Sequence, residues 1–397
     1  MQGMAILSCW VLGALQGAIL ILIPEIMLKG ELTAFQLAIP LSLGTFIFMF
    51  CSGRWGHLLD KRASENKPSI FILRCVLFGF LISQLSFITF LQFTYFQGLI
   101  LVIALCLTRV VHGVFCSAII PSAQLTLFDG DQKGERLVWS TISINIGRLT
   151  APLLTFVPIE ISYFSLWFIA IVTAIALMLT WFNQYNLSNH DTYPPTKTIK
   201  STRLNLPAFS LFNNRLLMII CTTAVLITLF SSQLQFSLGP LFLTYFSDAK
   251  QASEMTATLL FSASASALVS LFILYRPLTR YPKLFLSVIV SSLLIGCVLF
   301  VLQKHFVISV VLLSSALSMA PAWYTAIAMH SNLYNKARIS AAVSQSHTLG
   351  NALGGLLGGV LLTVGELSLL LSFILIMVLI LIAWFMLYQQ SSEGGAD

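Results

Sequence analysis

The chain has 397 residues, of which 57% are hydrophobic and 9% charged, with a net charge of +7. Soluble globular proteins carry about 25% charged residues, so this composition cannot cover a water-facing surface and excludes a soluble protein. The basic excess is scattered over short loops rather than gathered on one polar module, which argues against a nucleic-acid partner and points to membrane topology.

A membrane-spanning helix needs about 20 mostly apolar residues. Twelve such segments follow one another at 4–25, 33–52, 69–91, 98–123, 137–159, 161–184, 216–240, 252–275, 283–303, 306–329, 340–364 and 366–388. They are about twice the length of barrel strands and show no in/out alternation, so helices are expected. The first run has no basic n-region and no cleavage site, and reads as a retained span rather than a signal peptide. The seven cysteines lie in or beside apolar segments without CxxC spacing; they read as packed free thiols.

Residues 185–214, "NLSNHDTYPPTKTIKSTRLNLPAFSLFNNR", form the longest polar interruption. The expected organisation is a six-helix half over 1–184, a cytoplasmic linker over 185–215, a second six-helix half over 216–390 and a short tail over 391–397. With the N-terminus placed inside, fifteen of the 21 lysines and arginines fall in cytoplasmic loops. Three lie opposite (Lys29, Lys250, Lys304) and three within spans (Arg74, Arg109, Arg148). This asymmetry predicts a multi-pass protein of the cytoplasmic (inner) membrane with both termini cytoplasmic.

The halves echo each other. "KGERLVWSTISINIGRLTAPLL" opens span five and "NKARISAAVSQSHTLGNALGGLL" opens span eleven. At one constant offset Lys133 matches Lys336, Gly147 matches Gly350, Ala151 matches Gly354, Pro152 matches Gly355, and Arg148 falls opposite Asn351. Paired six-helix halves suggest a transporter built from repeats, with its substrate near the midplane.

Three motifs resemble the major facilitator superfamily of secondary transporters. "GHLLDKR" after span two is similar to that family's loop signature, with Gly56, Asp60, Lys61 and Arg62 in its places. A glycine permits a tight turn there, and an aspartate suits a helix N-terminus. The resemblance implies that Asp60 engages the start of span eleven. It also implies that the basic pair reaches Asp129 or Asp131, closing the cytoplasmic side. "LTRVVHG" in span four resembles an arginine–glycine signature, with Arg109 and Gly113. "GRLTAP" in span five resembles the antiporter signature: Gly147 and Pro152 are present, Ala151 stands where glycine is usual, and the downstream glycine pair is missing. The second half keeps a basic loop, "LYRPLTRYPK", without the glycine and aspartate. The resemblance implies an all-α integral membrane protein with twelve transmembrane helices in two halves, working by alternating access. It also implies proton-driven export.

Polar residues inside the spans are the candidate site. Arg109 and Arg148 each lie about 11 residues, or roughly 16 Å, into their spans. Ionisable groups at that depth face a cavity or a partner. Glu25, Glu160 and Glu254 lie near outer ends, and no Asp or Glu falls at the midplane. A bound anion could supply the missing countercharge, because guanidinium forks onto carboxylate. Arg148 is the sharper candidate; polycarboxylate siderophores, other organic acids and anionic metabolites fit it.

Gln16, Asn145, Gln233, Gln235 and Asn351 are further candidate contacts. Ser232 and Ser237 share the polar stretch of span seven. Trp323 and Tyr324, after Pro321, are cavity wall or packing. His112, three residues after Arg109, and Glu25 are the proton-coupling candidates, with hydrogen-bonded packing as the alternative for the histidine; His347 could titrate as well. Gly147, Ala151 and Pro152, and Gly350, Gly354 and Gly358, read as helix-packing positions.

No GxxxxGK[ST] loop, HExxH or Cys/His metal spacing appears, so no ATP-driven step, cofactor, metal or enzymatic chemistry is expected. The reading is a monomeric secondary transporter that exports a small anionic or amphiphilic molecule with protons. A multidrug efflux pump and an importer of an organic acid or siderophore complex are the alternatives. Hydrophobic cations would require the midplane carboxylate that this chain lacks.

Overall fold

A computed structural model describes residues 2–64, 70–93, 95–127, 133–157, 163–182, 215–246, 248–330 and 336–393. Asp129, Asp131, Glu160 and the linker residues 185–214 lie outside them, as does the side chain of Asp60. The described residues are helical throughout the expected spans.

The first six spans are α1 (Gln2–Ile21) with α2 (Ile23–Gly30), α3 (Ala34–Ser64), α4 (Ile70–Gln92), α5 (Gly98–Cys116) with α6 (Ile119–Leu127), α7 (Lys133–Thr155) and α8 (Phe164–Phe182). The next six are α9 (Arg215–Tyr245), α10 (Ala249–Val269) with a π turn (Ser270–Leu274) and α11 (Tyr275–Leu278), α12 (Pro282–Val301), α13 (Phe306–His330), α14 (Lys336–Val364) and α15 (Glu366–Glu393). Eleven of these are apolar and long enough to cross a membrane on composition alone. The twelfth, α7, begins in the charged stretch "KGER" and carries Arg148.

Local chemistry sets several boundaries. Thr33 and Gln36 form a reciprocal capping box at the start of α3, with Thr33 N donating to Gln36 Oε1 at 2.9 Å and Gln36 N donating to Thr33 Oγ1 at 3.2 Å. Asp248 caps α10 by accepting from Lys250 N at 3.0 Å. Pro24 and Pro282 occupy first turns, where no donor is lost. Pro40, Pro152, Pro240 and Pro321 lie inside helices, which membrane helices tolerate when neighbours take up the freed carbonyls.

One expectation changes. "GHLLDKR" belongs to the last turns of α3, which continues to Ser64, and not to a loop. Gly56 is helical, and a Cβ there would meet nothing within 4 Å, so it serves neither a turn nor a close contact. The stretch lacks a breaker, and its basic residues suit a helix C-terminus.

Contacts divide the chain into two units, Met1–Leu32 with Ile39–Asn205, and Thr33–Ala38 with Leu206–Asp397. In each, one helical crossing dominates: α1 with α7 in the first, α9 with α14 in the second. The outward stripes are apolar at helical spacing. Leu99, Ile103 and Leu107 of α5 are exposed, as are Leu367, Leu371 and Leu375 of α15. Such stripes would be a liability in water and suit acyl chains; the chain is a multi-pass membrane protein.

Candidate functional site

The α1–α7 crossing is built on absent side chains. A Cβ at Gly147 would stand 2.7 Å from Ala14 N and 3.1 Å from Gly13 C. One at Gly13 would reach the Ile144 carbonyl carbon at 2.8 Å, and one at Gly17 would meet the Ala151 Cβ at 2.8 Å. The backbones therefore touch, as small residues allow in lipid, where apolar surface alone gives no drive to associate. The α9–α14 crossing repeats this. Gly350 faces Val225, Thr228 and Leu229, Gly354 faces Leu229, Ser232 and Gln233, and Gly358 faces Gln233 and Ser237. The register is the same in both units: Trp10 and Ala14 flank Gly147 as Val225 and Leu229 flank Gly350. All six positions read from sequence as packing residues are helical, and all but Pro152 carry those close approaches directly; Pro152 is buried in the same helix.

This contact fixes Arg148. Gly147 and Ala151 are buried against α1, while Arg148 between them is exposed. Its Nε donates to Gln16 Oε1 at 3.2 Å and its Nη2 to the same oxygen at 2.8 Å. The partner is neutral, and no carboxylate pairs with Arg148 among the described residues. Three of its five N–H groups have no acceptor among the described residues. Asn145, one turn earlier, is partly exposed. In the second unit Asn351 is exposed at the corresponding place, and its carbonyl accepts from Ser232 Oγ at 2.7 Å.

Arg109 lies elsewhere. It lines a cavity with Leu15, Ile19, Ser83, Gln84, Phe87, Ile88, Thr108, His112 and Leu166. Leu15 and Ile19 occupy a face of α1 roughly opposite that of Gly13 and Gly17, at about 100° per residue. The two arginines, similar in depth by sequence, thus meet different residues of α1: Arg109 shares its cavity with Leu15 and Ile19, and Arg148 bonds Gln16. His112 is buried beside the Phe80 ring, with centroids 5.2 Å apart. Gly113 packs on α3, where its Cβ would meet the Gly44 carbonyl oxygen at 2.5 Å. Arginine and glycine of "LTRVVHG" therefore act together: the glycine brings α3 and α5 close, and the arginine lies along Gly44.

The other candidates are distributed. Gln233 is buried and donates from Nε2 to Ser372 Oγ at 2.5 Å, tying α9 to α15. Gln235 donates to Ser231 Oγ at 3.2 Å. Tyr324 is fully buried and its hydroxyl bonds His347 Nε2, joining α13 to α14. Trp323 packs against Phe285, with centroids 6.1 Å apart. Glu25 forms a 2.6 Å ion pair with Lys29, whose ammonium lies 4.8 Å from the Tyr163 ring centroid. Arg62 rests on Phe71 at 4.7 Å, and Arg74 donates to the Thr180 carbonyl at 2.9 Å while lying 4.2 Å from the Trp181 ring centroid.

Sequence reasoning missed Gln84, the only amide near the middle of span three, which the fold brings to the Arg109 cavity. It also missed Ser372, the partner of Gln233. Gln84 could have been flagged as an uncompensated polar group between "FLIS" and "LSF"; a serine in an apolar helix carries no such signal, because it can bond its own backbone.

No family model matches the chain, and no curated protein matches it. Solved structures do. The nucleoside transporter NupG superposes with a TM-score of 0.70 at 15% identity, covering 98% of this chain and 98% of that one. A bacterial homologue of the human lysosomal transporter Spinster, inward-facing and occupied, gives 0.68 at 14% identity over 98% and 96%. A D-xylose–proton symporter gives 0.67 at 12% identity over 96% of each chain. The chain has the major facilitator fold.

Proposed function

We propose that the protein is a secondary active transporter that binds the anionic group of a small molecule at Arg148 and exports it by alternating access, driven by protons. The observation that carries this reading is the state of Arg148: exposed beside a buried backbone contact, held by one neutral oxygen, with free N–H groups and no carboxylate partner among the described residues. A guanidinium in that state is presented rather than used up. Gln16 orients it and Asn145 borders it. The solved neighbours are transporters by name, one of them proton-coupled, which supports the class and the driving ion. His112 and Glu25 are the proposed proton sites. Export rests on the resemblance of "GRLTAP" to the antiporter signature; the cargo class is carboxylates, siderophore or organic acid. The protein acts as a monomer in the cytoplasmic membrane, with Asp60, Lys61, Arg62 and Asp129 closing its inner side.

The test uses mono-, di- and tricarboxylate probes on purified protein, with binding and melting temperature measured on the same samples. Arg148→Lys keeps the charge and loses the planar fork; Arg148→Gln loses both. A charge-assisted contact is worth about 1.5–3 kcal/mol, so affinity should fall roughly ten- to a hundredfold in Arg148→Gln. Unchanged carboxylate affinity in a well-folded Arg148→Gln would sink the reading. Flux into inverted against right-side-out vesicles decides export from uptake.

A further inference from the structure

We propose that the cavity beside α1, α4, α5 and α8 holds a single halide-sized anion, bound by Arg109, Gln84 and His112. It is a resident counter-ion of the first unit, not cargo.

Three observations lead there. First, the cavity presents unused polar atoms. Among the described residues Arg109 Nε and both amide atoms of Gln84 are buried without a hydrogen-bond partner, and Gln84 is 3% exposed. Ser83 and Thr108 do not serve them as donors, because their hydroxyl hydrogens go to the carbonyls of Phe80 at 2.7 Å and Leu105 at 2.8 Å. The donors left are the guanidinium, the Gln84 amide and the ring N–H of His112. Second, none of the residues lining the cavity is an aspartate or glutamate. A water could satisfy the Gln84 amide, but it would leave the charge of the partly exposed Arg109 without a countercharge at the cavity. An anion supplies that countercharge and accepts from Arg109 Nε and Gln84 Nε2, while Gln84 Oε1, an acceptor, needs a separate donor. Third, the free space is about 10 Å³, room for one water-sized particle. That suits a small ion better than a large organic anion. The arginine is also held in place: a Cβ on Gly44 would come within 3.2 Å of Arg109 Nε and 3.3 Å of its Cβ, so α3 lies against the side chain and keeps the guanidinium from swinging away.

This inference does not depend on the substrate reading, because Arg148 is not among the residues that line the cavity. Its test is chloride-dependent stability of the full-length protein in detergent, with sodium chloride exchanged for sodium gluconate at constant ionic strength. The melting temperature of the parent should rise with chloride and saturate, by roughly 2–5 °C between chloride-free buffer and about 300 mM. Gln84→Leu, which keeps the volume and removes the amide, should shift the chloride midpoint upward by about tenfold, the loss of one good contact. Arg109→Gln should abolish the response; if it does not fold, Gln84→Leu carries the test. Arg148→Gln should keep the parent's chloride response, so failure of one proposal leaves the other standing. Crystals soaked in bromide should show an anomalous peak in the cavity. The proposal is overturned by identical melting in chloride and gluconate, by a response unchanged in Gln84→Leu, or by ordered water alone in the bromide-soaked cavity.

Discussion

Adding a single methyl group at Gly147 should pull apart the crossing that presents Arg148. A Cβ there would stand 2.7 Å from Ala14 N and closer still to the Trp10 carbonyl oxygen, whereas ordinary contact begins at 3.4 Å, so α7 must retreat by more than about 0.7 Å. The obstacle is backbone, which no rotamer change can move. A gap of 0.5–1 Å forfeits a quarter to a half of the dispersion energy across a contact, and overpacking of this kind costs about 1–3 kcal/mol. Against it stands the better helix propensity of alanine, about 1 kcal/mol. Gly147→Ala should therefore lose up to about 2 kcal/mol net, toward the upper end because the obstacle is backbone. Gly350→Ala should do the same in the second unit, where the added Cβ would lie 3.0 Å from Leu229 N and closer still to Val225 and Thr228. Gly53→Ala is the control: it is helical and exposed, nothing lies within 4 Å, and only the propensity gain remains. Thermal melting of the purified variants ranks them, with Gly53→Ala at or above the parent and both crossing variants below it. If Gly147→Ala melts as high as Gly53→Ala, the crossing is not the tight contact described, and the argument that it fixes Arg148 fails with it.

Gln16→Leu should leave the fold intact but free the Arg148 guanidinium, weakening carboxylate probe binding severalfold by loss of orientation; equal or tighter binding would show that Gln16 competes with the ligand instead. Arg74→Met should lower stability by about 1–2 kcal/mol, since it removes the bond to the Thr180 carbonyl and the stacking on Trp181; the melting temperature reports it, and a value equal to the parent's refutes that role. Asp60→Asn should fold normally and shift the transport rate by more than tenfold if the carboxylate stabilises the closed inner side by up to about 2 kcal/mol; parental flux in vesicles counts against the gating role. A cysteine placed at Ser201 should resist an impermeant thiol reagent added to intact cells and react in inverted vesicles; the reverse pattern overturns the proposed orientation.

Much of the architecture was legible in the chain because a bilayer leaves few choices. Apolar runs of span length must be helices, so twelve of them and the split between two sets of six could be read directly. The repeat offset that pairs Gly147 with Gly350 also held as a structural register, because a helix that must touch backbone to backbone can do so only where side chains are missing on one face. The limits appear where a position's meaning depends on what faces it. "GHLLDKR" looks like a loop by its charges, yet it continues α3, since no residue in it stops a helix. Arg109 and Arg148 look equivalent by depth, and only packing around α1 separates them: Leu15 and Ile19 turn toward one, Gly13, Gln16 and Gly17 toward the other. Gln233 reads as part of a polar path and Tyr324 as cavity wall or packing; the fold buries the first beside Ser372 and joins the second to His347. Composition and periodicity determine that a segment is a buried helix; which of its faces meets lipid, a neighbouring backbone or a cavity is decided by partners far away in sequence, and a polar residue's role goes with that face.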